Sequence, residues 1–306
     1  MGISIVVNTS FDHFVDDIFI LSNIAVAPVL AVSMRKLFRD YDGAAIKVRR
    51  SSDNTLQDVG FDKNGQLNVT ALKNFVGSGD GFVHTLYDQA RIDDFVQSDA
   101  TRQPKIVQKG EVTLENGLPS LHFTGSQILN RLNFKKLLAL KKHAISFSVQ
   151  ASRATADGRV IFVPHPAPGA TLGGLRFTLA QRVGTFRVTV ALTNGGDNKV
   201  LTAEKTINDG LFQFTAHADW EIGRLATSKN SVEFLPDQPI SVLSWDDATP
   251  INLCSIGGEL TKEGDTSTMW RGFNGSISEV LLFDENIDES NIKKITDSQL
   301  HFYAVN

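Results

Sequence analysis

The densest early set of groups able to hold a polar ligand is Arg49, Arg50, Asp53, Asp58 and Asp88. Charges gathered near a strand end can hydrogen-bond a sugar, or they can pair and hold one stretch of chain on another. Burying any of them unpaired is costly, so a structural ion-pair cluster is the expected arrangement. Spacing excludes other chemistry. The seven histidines (His13, His84, His122, His143, His165, His217 and His301) show no His-x-His or His-Glu-x-x-His pattern, so no zinc site of that kind is expected. Gly77-Ser78-Gly79-Asp80-Gly81 has the glycine content of a phosphate cradle. It follows a helical pattern, feeds a strand and lacks a Lys-Ser/Thr pair, which makes it a turn. No Gly-x-Ser-x-Gly elbow is present to expose a nucleophilic serine.

Composition narrows the class. The 306 residues are 42% hydrophobic and 21% charged, ordinary for a folded chain, which argues against disorder or collagen-like repeats. Thirty basic against 34 acidic residues leave a net charge of −4, so bulk charge gives no footing for a nucleic-acid partner. Cys254 is the only cysteine. An internal disulfide is impossible, in keeping with folding in a reducing cytoplasm. Ile18 to Met34 carries no charge, but Ser22, Asn23 and Pro28 interrupt it and Asp12, Asp16 and Asp17 precede it. It is expected to be a buried segment, neither a membrane span nor a signal peptide.

The elements that must position these groups are mostly strands. Pro28 to Gly43 has a helical pattern, with Val29, Leu30, Leu37 and Phe38 on one face and Arg35, Lys36 and Arg39 near its end. A second short helix runs from Asn68 as N-cap to Gly77. Ala44 to Asn54 and Phe82 to Tyr87 read as strands. Beyond Pro104 β signals dominate. A hairpin turns at Asn116-Gly117, and Ile145 to Val149 alternates polar and apolar residues. Further strands are expected at 160–163, 174–179, 185–192, 200–205, 211–216, 231–234, 240–243, 253–256 and 272–283, before a helix capped by Asp288. The spacing predicts a mainly β chain, an antiparallel sandwich with a few short helices. Residues 1–27 form an extension, 28–104 an α/β leader packed on the sandwich, and 105–306 the sandwich itself.

Two stretches carry a resemblance. Ser255-Ile256-Gly257-Gly258, followed by Gly272-Phe273-Asn274-Gly275-Ser276-Ile277-Ser278-Glu279-Val280-Leu281-Leu282-Phe283, resembles the closing strands of laminin-G/concanavalin A-like jelly rolls. Lys109 to Gly125 is similar to their opening hairpin. Val32-Ser33-Met34-Arg35-Lys36-Leu37, Asp42 to Asn54, Asp58-Val59-Gly60-Phe61 and Tyr87-Asp88-Gln89 together resemble a leader of bacteriophage structural proteins. That leader is similar to the start of the α-L-arabinofuranosidase B catalytic domain. The second likeness implies an acid carboxylate after Ile-Gly-Gly, the place of Glu259. No nucleophile motif matches, and the enzyme's adjacent cysteine pair is absent. Read from its own neighbourhood, Glu259 is expected to be a solvated loop carboxylate.

Together these features imply a non-enzymatic virion protein of a tailed phage, a fibre, spike or capsid decoration component made in the host cytoplasm. Residues 1–27 would attach it to other virion proteins, and it would assemble as a homo-oligomer. Its rim could bind a host glycan, with Trp220, Trp245 and Trp270 either stacking on sugar or buried in the core. The alternatives are a furanosidase-type glycoside hydrolase or depolymerase, and a stand-alone carbohydrate-binding module. No cofactor is expected. A Ca²⁺ ion is conceivable around Asn194 to Asn198 or Asp265, without a complete motif.

Overall fold

The computed structural model describes residues 19–131, 142–151, 158–165, 173–182, 185–192, 210–219, 224–230, 232–239, 254–262, 265–283 and 287–305. The strands expected at 200–205 and 240–243, and the extension before residue 19, lie outside these.

The leader supplies β1 (Leu30–Ser33), β2 (Ile46–Arg50), β3 (Leu56–Val59), helix α1 (Val69–Val76), β4 (Gly81–Leu86) and β5 (Phe95–Val96). Next come β6 (Lys105–Gln108), β7 (Glu111–Val112), β8 (Leu114–Glu115), β9 (Leu118–Pro119), β10 (Leu121–Thr124) and β11 (Leu129–Arg131). The longer strands are β12 (Lys142–Ala151), β13 (Gly158–His165), β14 (Gly173–Arg182), β15 (Thr185–Leu192) and β16 (Gly210–Asp219). The series ends with β17 (Arg224–Lys229), β18 (Val232–Pro239), β19 (Cys254–Ile256), β20 (Glu259–Lys262), β21 (Asp265–Trp270), β22 (Asn274–Phe283) and helix α2 (Glu289–Phe302).

Among the described residues all strand pairings are antiparallel. In one sheet β1 and β10 lie end to end along one edge of β22, while β12, β16, β17 and β18 extend from the other. The second sheet runs β3–β2–β4–β5–β11–β19–β13–β14–β15. β6 joins the two, pairing with β10 on one side and β4 on the other. The leader is therefore woven into both layers of the jelly-roll sandwich.

The layers close on one apolar core. Leu30, Val32, Phe123, Phe214, Val280 and Leu282 come from the first sheet, and Ile46, Val83, Leu129, Ile161 and Ile256 from the second. Each such side chain contributes roughly 1.5–3 kcal/mol by leaving water. The other face of β22 presents Leu281 and Phe283 to a smaller cluster with Ile20, Leu21, Ile24 and Ile295. Ile20 to Asn23, a 3-10 turn, thus belongs to the body, because its apolar side chains cover that second face.

The helix expected from Pro28 is instead β1 and a series of turns. All four β1 residues are buried, since β1 sits beside β22 with apolar cover on both faces. An apolar run of that kind mimics helical periodicity. The other helix ends follow expectation: the Asn68 side chain accepts from the Ala71 N–H, and that of Asp288 from the Asn291 N–H. Among the described residues no helix is long and apolar enough to cross a membrane.

Candidate functional site

Glu259 stands just past the end of β19, and the turn before it fixes where it can lie. Gly257 has φ +88°, and a Cβ there would fall 2.2 Å from the Phe123 ring. Only glycine fits both the backbone conformation and the space. The turn is stitched on both sides, Gly257 N–H to the Val160 carbonyl and Phe273 N–H to the Gly257 carbonyl. The Ser255 hydroxyl donates to the Gly258 carbonyl at 2.8 Å. Glu259 then opens β20, opposite Trp270 of β21. Its side chain is 7% exposed, with Arg271 Nη1 3.9 Å from Oε2. The solvated loop carboxylate expected from sequence is corrected: Glu259 is buried, because the glycine turn tucks the start of β20 into the body.

The outward face of the second sheet leads to this turn. Strand register aligns Asp58, Lys47, Thr85, Val96, Asn130 and Ser255 in one row. Leu129 and Ile256, one position away, point to the core. The His84 ring bonds to the Thr85 hydroxyl at 2.9 Å. Burial, with Lys47 and Arg49 nearby, holds the His84 imidazole below its ordinary pKa, so it stays neutral further into acid. Asn130 is 5% exposed, and its carboxamide oxygen has no hydrogen-bond partner among the described residues. The sequence offered no signal that Asn130 would be buried, because that depends on register.

The five charges singled out from sequence do not form one cluster. Arg50 and Asp53 pair through two hydrogen bonds of 2.8 and 2.6 Å. Arg49 donates to Gln103, Asn54 and the Ala100 carbonyl, and covers the Phe82 ring at 4.7 Å. Asp58 accepts from the Tyr87 hydroxyl and lies 3.7 Å from Lys47 Nζ. Asp88 is buried, accepting from the Ala31 and Ala90 N–H groups and from Arg131. Mutual pairing thus holds for Arg50 and Asp53 alone. The strands separate the rest, and each takes partners brought by another segment.

Trp220, Trp245 and Asn194 to Asn198 lie outside the described residues. Trp270 ends β21 and Asp265 begins it. Among the described residues no group of three or more His, Cys, Asp or Glu is arranged to hold a metal ion.

No family model matches the chain, and no curated protein does. Solved structures do. A GH54 α-L-arabinofuranosidase soaked with a cyclic sulfate inhibitor aligns with a TM-score of 0.66 and 10% identity, over 93% of this chain and 64% of its own. An arabinofuranosidase complexed with arabinofuranosyl-α-1,2-xylobiose gives the same values. So does a mutant GH54 enzyme soaked with 4-nitrophenyl α-L-arabinofuranoside. The chain therefore spans 64% of the length of these enzymes, and the likeness is one of fold. It overturns the expectation of a non-enzymatic body: over 93% of the chain the fold is one shared with these arabinofuranosidases. The virion setting has no counterpart in these three structures.

Proposed function

We propose that the chain is a carbohydrate-active protein that takes a furanosidic glycan at the Glu259 turn, with Glu259 as proton donor. The observation that carries the reading is a buried carboxyl group held directly after Ile256-Gly257-Gly258, in a fold shared with arabinofuranosidases. A carboxyl group so placed can protonate the departing glycosidic oxygen, the acid half of the two-carboxyl mechanism.

The test is hydrolysis of 4-nitrophenyl α-L-arabinofuranoside by the full chain, with calorimetric binding of the same glycoside alongside. Release of nitrophenol that Glu259→Gln suppresses, or binding of the glycoside by the wild type, supports the reading. Absence of both turnover and binding sinks it.

The setting we propose is a phage particle, on the likeness of the leader to phage structural proteins, with attachment through the extension and self-assembly of the chain. Mass spectrometry of purified particles tests the location. Because Ile20, Leu21 and Ile24 are buried in the body, a truncation that tests attachment should remove residues 1–18 and no more. Incorporation surviving that truncation would refute the attachment role.

A further inference from the structure

We propose that Asn116-Gly117 is a modification site, where spontaneous loss of ammonia converts Asn116 to aspartate or isoaspartate and unlatches the end of α2, whether or not the Glu259 turn binds a sugar.

Asn64-Gly65, Asn116-Gly117 and Asn274-Gly275 lie among the described residues, and they differ in whether the glycine nitrogen is free to attack. Gly65 is buried and its N–H is committed to the Asp62 carbonyl at 3.1 Å. Gly275 is buried within β22, in register with Phe123 on one side and Ala151 on the other. Asn116 and Gly117 are both exposed, in the turn between β8 and β9. The Gly117 N–H has no acceptor among the described residues, and a Cβ on Gly117 would meet nothing within 4 Å. This nitrogen is uncommitted and unhindered.

The chemistry needs only water. Gly117 N gives up its proton and attacks Asn116 Cγ. As the N–Cγ bond forms, the Cγ–Nδ2 bond breaks, and the amide nitrogen leaves with that proton as ammonia. Water then opens the cyclic imide at either carbonyl. One opening gives aspartate, the other isoaspartate, which carries the main chain through an extra methylene. Ammonia is exchanged for water, and nothing is oxidised or reduced.

The work done by the amide gives the reaction its consequence. Asn116 Nδ2 donates to the Tyr303 carbonyl at 3.2 Å and to the Ala304 carbonyl at 3.0 Å, tying the hairpin to the end of α2. The product carboxylate has no hydrogen to donate, so two hydrogen bonds become two acceptor–acceptor contacts. The helix end so held carries Tyr303, whose hydroxyl donates to the buried Glu279 at 3.1 Å.

Two measurements on the full chain test this. The first is peptide mapping by mass spectrometry during storage in mildly alkaline buffer, with the free peptide of residues 114–120 as reference. Asn116 should convert before Asn64 and Asn274. Conversion of either of those first, or an unchanged Asn116 after the free peptide has reacted, overturns the proposal. The second is amide hydrogen exchange in Asn116→Asp, where aspartate tolerates the positive φ of 48° as asparagine does. Exchange at the Tyr303, Ala304 and Val305 N–H groups, which bond back to Gln299, His301 and Leu300, should quicken about tenfold. Exchange equal to the wild type at these three positions would show that the amide is no latch, and overturn the proposal.

Discussion

Glu279 on β22 and Arg35, just beyond β1, meet in a two-point pair. Nε lies 2.7 Å from Oε2 and Nη2 3.0 Å from Oε1, with both side chains sealed from solvent. The chain separates them by 244 positions. Ser33, Tyr303 and Gln299 also donate to the carboxylate. Ser298 accepts from the guanidinium, and Phe302 lies under it at 4.7 Å. The pair therefore locks α2 onto the β1–β22 seam.

Removing one partner should expose its worth. Glu279→Ala leaves a buried guanidinium without its counter-charge, and a loss of about 3–5 kcal/mol in urea unfolding is expected. A double replacement, Arg35→Met with Glu279→Leu, should cost less than the two single changes added together. Strict additivity would show that the pair is not coupled.

The acid behaviour of this pair has a definite sign. Arg35 and the surrounding donors hold Glu279 below the usual carboxylate pKa, against the opposing effect of burial. Its stabilisation is present above the unfolded pKa and disappears as pH falls through the lower folded value. Asp88 runs the other way. Burial pushes its carboxyl up to about 6, opposed by the Ala31 N–H and Arg131. The folded chain then binds that proton more tightly, so this contribution is complete below pH ~4 and is lost as pH rises through about 6. Asp88→Asn should flatten the stability profile between pH ~4 and 6, as followed by denaturation at fixed pH. A profile unchanged in that window would disprove the assignment.

Gly257 can be tested without touching the acid. Gly257→Ala imposes a positive φ on a side chain and drives its methyl group into Phe123. A loss on the order of 1–3 kcal/mol is expected from the backbone alone, read as a lower unfolding midpoint. Any glycosidase rate should fall with it, because the turn sets where Glu259 stands.

Glu259→Gln keeps shape and removes the transferable proton. The expected result is a fall in kcat of roughly 10²–10⁴, with KM and the unfolding midpoint little changed. A variant as active as the wild type would remove Glu259 from the chemistry.

Local signals in the sequence translated well. Asn116 and Gly117 carry the positive φ values, 48° and 81°, of the expected hairpin turn between β8 and β9. Asn68 and Asp288 cap the two helices, and Ile145 to Val149 lies within β12. These depend on neighbours a few residues away. Arg35 reads locally as a cation at a helix end, and nothing near it announces Glu279. Asn130 is similarly silent, since its burial arises where β5, β11 and β19 come side by side. The site was legible only at Glu259, through the residues of its turn, and its burial was not.

The placement of β1 against β22 also governs the order in which this molecule can be made. Leu30 pairs with Leu282, so a ribosome must deliver some 250 further residues, on the order of tens of seconds of translation, before the early strand meets its mate. Throughout that interval Leu30 and Val32 have no permanent neighbour along that edge. A nascent chain of this design completes its first sheet only as β22 emerges.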